Sequence, residues 1–345
     1  MGAVLCALGL AGPVFALIEQ PRLGWSSPAV IAPLLVGALL LVIFVFYESR
    51  ARDPMLPLKL FRRRNFAAGN VETFSMYAGL AILFFFLTIF LQQVGGYSPL
   101  QAGLATLPAT IVMFVLSRRF GMLADRFGPH FFMSAGPLVA AAGLLLMESI
   151  GAPVRYATEV LPGLLVFSLG LSMTVAPLTA AVLAGSEHEA GIASGVNNAV
   201  ARVAGLLGTA SVGAAVAASF VSRLDAGTAH TALGGAARAA VAQAKRLPLG
   251  LPDVHALPAA QARALTHAAE QASLHSVHLA LAIAAALVAV GGVVGAIGVR
   301  NPSREVPAES CPGGQLVGAS RHLARIGGVG AKVAGESAQP TGSRA

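Results

Sequence analysis

Long apolar runs dominate this sequence, and short segments that hold most of its Arg, Lys, Gly and Pro separate them. The runs are about 17–25 residues long, which is the length an α-helix needs to cross the hydrocarbon core of a bilayer. Only 11% of the residues are charged and 56% are hydrophobic, whereas about 25% charged residues is usual in a soluble domain. A globule in water could not cover itself with so little polar surface. The pattern therefore predicts an all-α, polytopic bundle in a lipid bilayer.

About eight runs are long enough to span the membrane. They lack the period-two alternation of barrel strands, and only helices satisfy their backbone hydrogen bonds within one segment, as hydrocarbon requires. The first run is interpreted as a span rather than a signal peptide, because no Lys or Arg precedes it. The predicted helices cover residues 1–18, 29–47, 66–91, 101–116, 131–147, 156–183, 190–220 and 276–299.

The distribution of basic residues predicts the orientation of the bundle. Most of the 23 Lys and Arg residues lie in the gaps after the second and fourth helices and in the tail after the last one. Since short cytoplasmic loops are enriched in Lys and Arg, these segments are expected to face the cytoplasm. An even helix count then puts both termini on the cytoplasmic side of the cell (inner) membrane. The net charge of +8 follows from such loops and gives no reason to expect nucleic acid as a partner.

Two remaining segments are less apolar. Residues 221–275 are Ala-rich with scattered His, Arg and Pro, and are interpreted as an extracytoplasmic loop that could include one amphipathic helix. Residues 301–345 are rich in Gly, Ser, Pro and Ala, which is typical of a disordered tail. The chain has two cysteines, one in the first span and one in this tail, so neither a structural disulfide nor a metal or cofactor site is predicted.

The most specific local pattern is Gly121-Met-Leu-Ala-Asp125-Arg126-Phe-Gly128, between the fourth and fifth predicted spans. Gly121 would allow close packing and Gly128 a left-handed turn. Asp125 could lie at the amino end of the next helix, where the dipole favours an anion. Arg126 could pair with a carboxylate or with helix-end carbonyls in one conformational state only. The simpler interpretation is a capped helix with a solvated charge pair.

This pattern resembles the signature loop of the major facilitator superfamily, although Pro129 and His130 replace the basic residues usual there. Four further segments resemble, in order and spacing, the fourteen-helix drug:proton antiporters of the EmrB/QacA type. Together they extend the resemblance over roughly residues 10–300. These segments are 16–25, 53–61, 91–103 and 193–202.

The resemblance implies a transporter that exports small lipophilic or cationic compounds in exchange for protons, by alternating access between two six-helix halves. Only the central helix pair and the carboxyl-terminal half have counterparts here, so a fragment is expected, to be completed by an amino-terminal half or by a second copy. The main alternative is a membrane fragment that transports nothing, whereas a membrane enzyme has no supporting motif. The implied parts are a helix pair at 1–47, a basic cytoplasmic loop at 48–65, the six-helix half at 66–300 and the tail at 301–345.

Polar residues inside the predicted spans are the remaining candidates, because a charge at the bilayer centre costs at least about 2.5–3.5 kcal/mol. Arg202 matches the family's Asn-Asn…Arg pattern, and either clamps helices together or acts in transport. Asn197 and Asn198 precede it and could hydrogen-bond neighbouring helices or a substrate. Glu72, which has no family counterpart, could exchange a proton, but the favoured interpretation is that it snorkels toward Arg62–Arg64.

Overall fold

The computed structural model describes residues 1–51, 54–183, 190–229, 233–247 and 249–301. These residues form α-helices joined by short turns and contain no β-strand. The helices are α1 (Gly2–Leu23), α2 (Pro28–Arg50), α3 (Arg64–Gln93), α4 (Pro99–Phe127), α5 (Pro129–Leu146), α6 (Leu161–Leu183), α7 (Ala190–Thr228), α8 (Gly235–Ala244) and α9 (Ala259–Gly298).

Every helix except α8 is long and apolar enough to cross a membrane. The prediction of an all-α bundle with about eight spans is therefore confirmed. Local sequence defines several starts, since Pro occupies the first turn of α2, α4 and α5, where its missing N–H costs nothing. At α4 a capping box is also present. Ser98 Oγ accepts from Gln101 N, and Gln101 Oε1 accepts from Ser98 N.

The segment 221–275 differs from its interpretation as a loop. Helix α7 continues to Thr228 and α9 begins at Ala259. They are 39 and 40 residues long, respectively, and each is therefore about 60 Å in length. A bilayer is only about 40–45 Å thick with its headgroups, so both helices extend beyond it. Their ends and α8 form a helical cap, defined here as residues 221–229, 233–247 and 249–275, with buried Ala237, Leu249 and Leu265. Of the predicted tail, only Asn301 is among the described residues.

Helix α3 lies at the centre of the bundle, in contact with α6, α7 and α9. Helix α5 packs on α6 and α9, and α4 packs on α6. The pair α1 and α2 pack on each other, and α1 reaches the bundle through α7. Only 11% of the most apolar stretch of α4 is buried, against 56% of the corresponding stretch of α3. One side of the bundle therefore leaves a long apolar helix face uncovered.

Two apolar clusters fill the interior. The larger one runs through the middle of the bundle into the helical cap and includes Phe86, Phe90, Phe167 and Phe220. The smaller one joins the start of α3 to the ends of α6 and α9. It lies at the end of the bundle that carries Arg62–Arg64, Arg118, Arg119, Arg126 and Arg300, which we call the basic end. Its main members are Leu60, Phe66, Met133, Leu178 and Val299.

Glycines allow α5 and α6 to approach at backbone distance. A Cβ on Gly143 would lie 2.3 Å from Phe167 N, and one on Gly170 would lie 2.3 Å from Ala140 N. A Cβ on Gly136 would meet the Gly170 carbonyl oxygen at 2.9 Å. Small residues drive helix association in membranes in this way, because lipid supplies no hydrophobic force between helices.

Gly143→Ala is expected to destabilise the bundle by about 1–3 kcal/mol, because only movement of a whole helix relieves a clash with backbone atoms. Gly103→Ala is the matched control, since nothing lies within 4 Å of a Cβ there. In that exposed helical position alanine is expected to be neutral or to stabilise by up to about 1 kcal/mol. Loss of helical circular dichroism on heating in detergent measures the stability of both variants. Equal melting temperatures for the two variants would contradict this packing.

Candidate functional site

The motif from Gly121 to Gly128 forms the last two turns of α4 and the turn that follows. Asp125 and Arg126 are exposed in the final turn, and the Arg126 guanidinium lies 5.5 Å from the Phe127 ring centroid. The expectation that Asp125 lies at the amino end of the next helix is wrong. Helix α4 continues through Phe127 and α5 begins at Pro129, so Gly128 alone makes the turn.

Gly128 adopts φ 90° and ψ 151°, a backbone region that is essentially restricted to glycine. The predicted turn glycine is therefore confirmed. Steric contact also requires glycine at this position, because a Cβ here would lie 2.4 Å from Asn301 Cγ. Gly121 is different, since its Cβ would make an ordinary 3.5 Å contact with the Ala176 Cβ. Close packing at Gly121 is thus not a requirement of this conformation.

Side chains from α3 and α5 hold the carboxyl end of α9. Arg64 Nε donates to the Gly298 carbonyl at 2.9 Å, and the other end of its guanidinium donates to the Ile297 carbonyl. Asn65 bonds both backbone groups of Arg300, at 2.9 and 3.0 Å. These bonds satisfy carbonyls that no helix can pair at its own end.

His130 and Asn301 complete this set, which we call the α9 clamp: Arg64, Asn65, His130 and Asn301. The His130 ring Nε2 lies 2.9 Å from the Ala296 carbonyl, an arrangement that requires hydrogen on Nε2. Its backbone N–H donates to Asn301 Oδ1 at 3.0 Å. Sequence reasoning noted His130 only as a departure from the family pattern and missed the rest of the clamp. A signal for the clamp was present in the sequence, because polar residues follow directly after the apolar run that forms α9.

The three polar candidates on α7 do not share one environment. Asn197 is half-buried, and its Oδ1 lies 2.7 Å from the Thr73 hydroxyl of α3, so this residue joins two helices. Asn198 and Arg202 are exposed and lie one turn apart on the helix surface. Among the described residues, Arg202 is recorded with no hydrogen bond or ion pair, and its function stays a prediction.

Glu72 does not reach toward Arg62–Arg64 at the start of α3. Its side chain is 0% exposed, and the three basic residues are exposed at the start of the helix. The snorkelling interpretation is therefore wrong. Gly295 of α9 and the Met133 carbonyl of α5 lie beside the carboxyl group of Glu72, so this side chain enters the bundle rather than lipid.

A cleft of about 970 Å³ lies between α1, α3, α7 and the helical cap. Its walls are mostly apolar, with Phe85, Phe86 and Leu206 among them. Charged side chains border it at the end near the cap, where Glu19 and Arg22 form an ion pair of 2.7 Å. The size is at the upper end of the range for small-molecule pockets, about 300–1,000 Å³.

Residues 1–209 match the Major Facilitator Superfamily. The chain belongs to this superfamily. It is 31% identical over 225 residues to the multidrug resistance protein Stp of Mycobacterium tuberculosis, covering 65% of this chain and 42% of that protein. It is 30% identical over 301 residues to the tetracenomycin C resistance and export protein of Streptomyces glaucescens, covering 85% and 55%.

A third relative, the puromycin resistance protein pur8 of Streptomyces alboniger, is 34% identical over 213 residues, which are 61% of this chain and 42% of that protein. The chain spans about half the length of these curated relatives. The superfamily match and the eight apolar helices make this a multi-pass membrane protein of a transporter family.

Within the superfamily motif, Gly128→Ala and Gly121→Ala are expected to differ sharply. Alanine at position 128 meets the Asn301 side chain and a forbidden φ, which together cost about 1–3 kcal/mol. Alanine at 121 fits and is expected to leave stability within about 0.5 kcal/mol. Thermal unfolding of the two purified variants measures the difference, and equal stability would show that the turn does not depend on glycine.

Proposed function

We propose that this chain is one half of an exporter of small lipophilic or cationic compounds, driven by exchange for protons, with α3–α9 as its carboxyl-terminal half. The observation that carries this proposal is the superfamily motif, which ends at a glycine-only turn beside the α9 clamp. The relatives' names support the substrate class, because they concern multidrug resistance, tetracenomycin C and puromycin. In the fourteen-helix arrangement α1 and α2 would be the extra central pair.

The motif would act as a conformational contact at the basic end. Asp125 and Arg126 are exposed on the last turn of α4, so they are accessible to groups of an opposing half. A charge-assisted bond formed in one state and broken in the other would bias the equilibrium between the two. The basic end would face the cytoplasm of the cell membrane, as its excess of Arg favours.

Alternating access requires a second half against which this bundle can move, with the substrate held between them. The uncovered face of α4 is a surface on which such a half could pack. We propose an amino-terminal six-helix half as this partner, and a second copy of the chain as the alternative. The cleft bordered by α1, α3 and α7 would contribute apolar walls to the binding of a lipophilic compound.

The 345-residue chain by itself is expected to insert into the membrane and to give no proton-coupled efflux. Its bundle can satisfy its own backbone groups, but a single bundle provides only one side of the transport site. The measurement is efflux of a fluorescent cationic dye from cells that express the chain alone or together with the amino-terminal half of a related exporter. Efflux that requires both, and that a protonophore abolishes, supports the proposal.

Other results would overturn parts of it. Protonophore-sensitive efflux by the chain alone would show that the second half is unnecessary, and cross-linking would then identify a homodimer. Membrane insertion without efflux under either condition would contradict the transport function and favour a non-transporting membrane protein.

The next variant is tested in cells that express the chain together with the amino-terminal half of a related exporter, which we call the two-half system. There, Asp125→Asn is expected to lower efflux by about tenfold, an effect within the usual range of allosteric coupling between two sites. The side chain keeps its size and loses the charge that the state-dependent contact needs. The matched control is Asp253→Asn, an exposed carboxylate in the helical cap. Transport rate and amount of inserted protein are both measured. Unchanged efflux by Asp125→Asn at equal insertion would remove the charge contact from the mechanism.

A further inference from the structure

The carboxyl group of Glu72 is enclosed in the bundle without a partner. The residue is 0% exposed, and among the described residues neither Oε1 nor Oε2 has a hydrogen-bond partner. An isolated ionised carboxylate in such surroundings is so costly that the group is neutralised instead. The burial therefore indicates a carboxylic acid rather than a carboxylate in this conformation.

The packing around this group leaves room for it. Gly295 of α9 has no side chain, and a Cβ placed there would lie 2.9 Å from Glu72 Oε2 and 2.4 Å from the Met133 carbonyl oxygen of α5. The carboxyl group thus lies where α3, α5 and α9 meet. One turn earlier on α9, a Cβ on Gly291 would lie 2.9 Å from the Ser75 Cβ, so glycine spacing keeps α3 and α9 in close contact on both sides of the site.

Most other buried polar side chains in the same bundle are satisfied locally, although Asn70 Oδ1, whose amide nitrogen donates to the Phe66 carbonyl, also has no partner among the described residues. Thr73, Ser168, Ser172 and Thr174 each donate to the carbonyl four residues earlier, at 2.6–2.9 Å. Such bonds make a buried hydroxyl inexpensive. Glu72 has no equivalent bond, so hydrogen bonding within the fold does not explain its presence at this position.

Ionisable groups on the surrounding elements do not neutralise it. The guanidinium of Arg64 is engaged with α9 carbonyls, and Arg202 of α7 is exposed. On α9, His278 lies more than four helical turns before Gly295, and its ring bonds the Ile150 carbonyl at 3.0 Å. The described residues of α6 include no Asp, Glu, Lys, Arg or His. Lys59 and Arg62 before α3, and Arg118, Arg119, Asp125 and Arg126 of α4, are exposed.

His130 of α5 contacts α9 beside the glycine that makes room for Glu72. Its ring bonds the carbonyl of Ala296, the residue after Gly295, at the basic end. The α9 clamp therefore closes the junction in which Glu72 lies. If the clamp opens and α9 moves away from α3 and α5, the carboxyl group gains access to water from that end.

We propose that Glu72 is a proton-binding site of this bundle, occupied by a proton when the α3, α5 and α9 junction is closed and released to water at the basic end when the junction opens. The step is a proton transfer between water and the carboxylate, and no other bond changes. The role of this proton in driving export rests on the proposed function. The binding of the proton by Glu72 is independent of the proposed function.

Infrared spectroscopy of the full chain reconstituted in lipid tests proton binding without transport. At neutral pH we expect a carboxylic-acid C=O band that shifts on exchange into D₂O. Glu72→Gln should abolish this band, whereas Glu148→Gln, an exposed carboxylate at the opposite end, should leave it unchanged. Glu72→Gln should also melt no lower than the unmutated chain, because it is a neutral side chain of the same shape. Absence of the band, or its survival in Glu72→Gln, would overturn the proposal.

Efflux in the two-half system tests the coupling separately. Glu72→Gln should lose the dependence of dye efflux on the pH gradient, and Glu72→Asp, which restores a carboxyl group, should recover part of it. Gradient-driven efflux by Glu72→Gln at the unmutated rate would contradict the coupling role. If the unmutated halves gave no efflux at all, the proposed function would fail, and the infrared result would still decide whether Glu72 binds a proton.

Discussion

The absence of water in the bilayer interior is the constraint on which this structure depends, because every polar group there must find its partner within the protein. The backbone meets this demand by forming helices throughout the bundle. Several buried Ser and Thr hydroxyls, such as those of Ser168 and Thr174, meet it by bonding to the preceding turn of their own helix. The end of α9 meets it through Arg64 and His130, which bond carbonyls that the helix cannot pair.

The same absence of water makes a buried polar group without a partner informative about function. Glu72 is a buried carboxyl group without a partner in the described part of the chain, and burial of such a group is tolerable when it carries a proton. Its position at the junction closed by the α9 clamp relates the protonation of one side chain to the packing of three helices. A transporter that exchanges protons for substrate needs a relation of this kind, in which a proton has different affinity for two conformations.

Close contact between helices has a second physical origin, since lipid does not drive apolar surfaces together. Glycines at α5 and α6 allow backbone atoms to touch, and Gly295 provides room for the Glu72 carboxyl group. Helix α4 has no such contacts along most of its length and remains largely uncovered. The bundle is thus tight where its own helices meet and open on the side where a second half is proposed to pack.

The sequence by itself determined the membrane class, the eight spans and the glycine turn at Gly128, because run length, low charge and the demand for positive φ are local properties. It also carried the superfamily resemblance in the motif that ends α4. Tertiary structure alone decided the rest. Whether Glu72 snorkels or is buried depends on which helices surround α3, and the α9 clamp joins residues more than two hundred positions apart. The helical cap and the position of Asp125 inside α4 likewise depend on where helices end, which packing decides and a hydrophobic pattern does not.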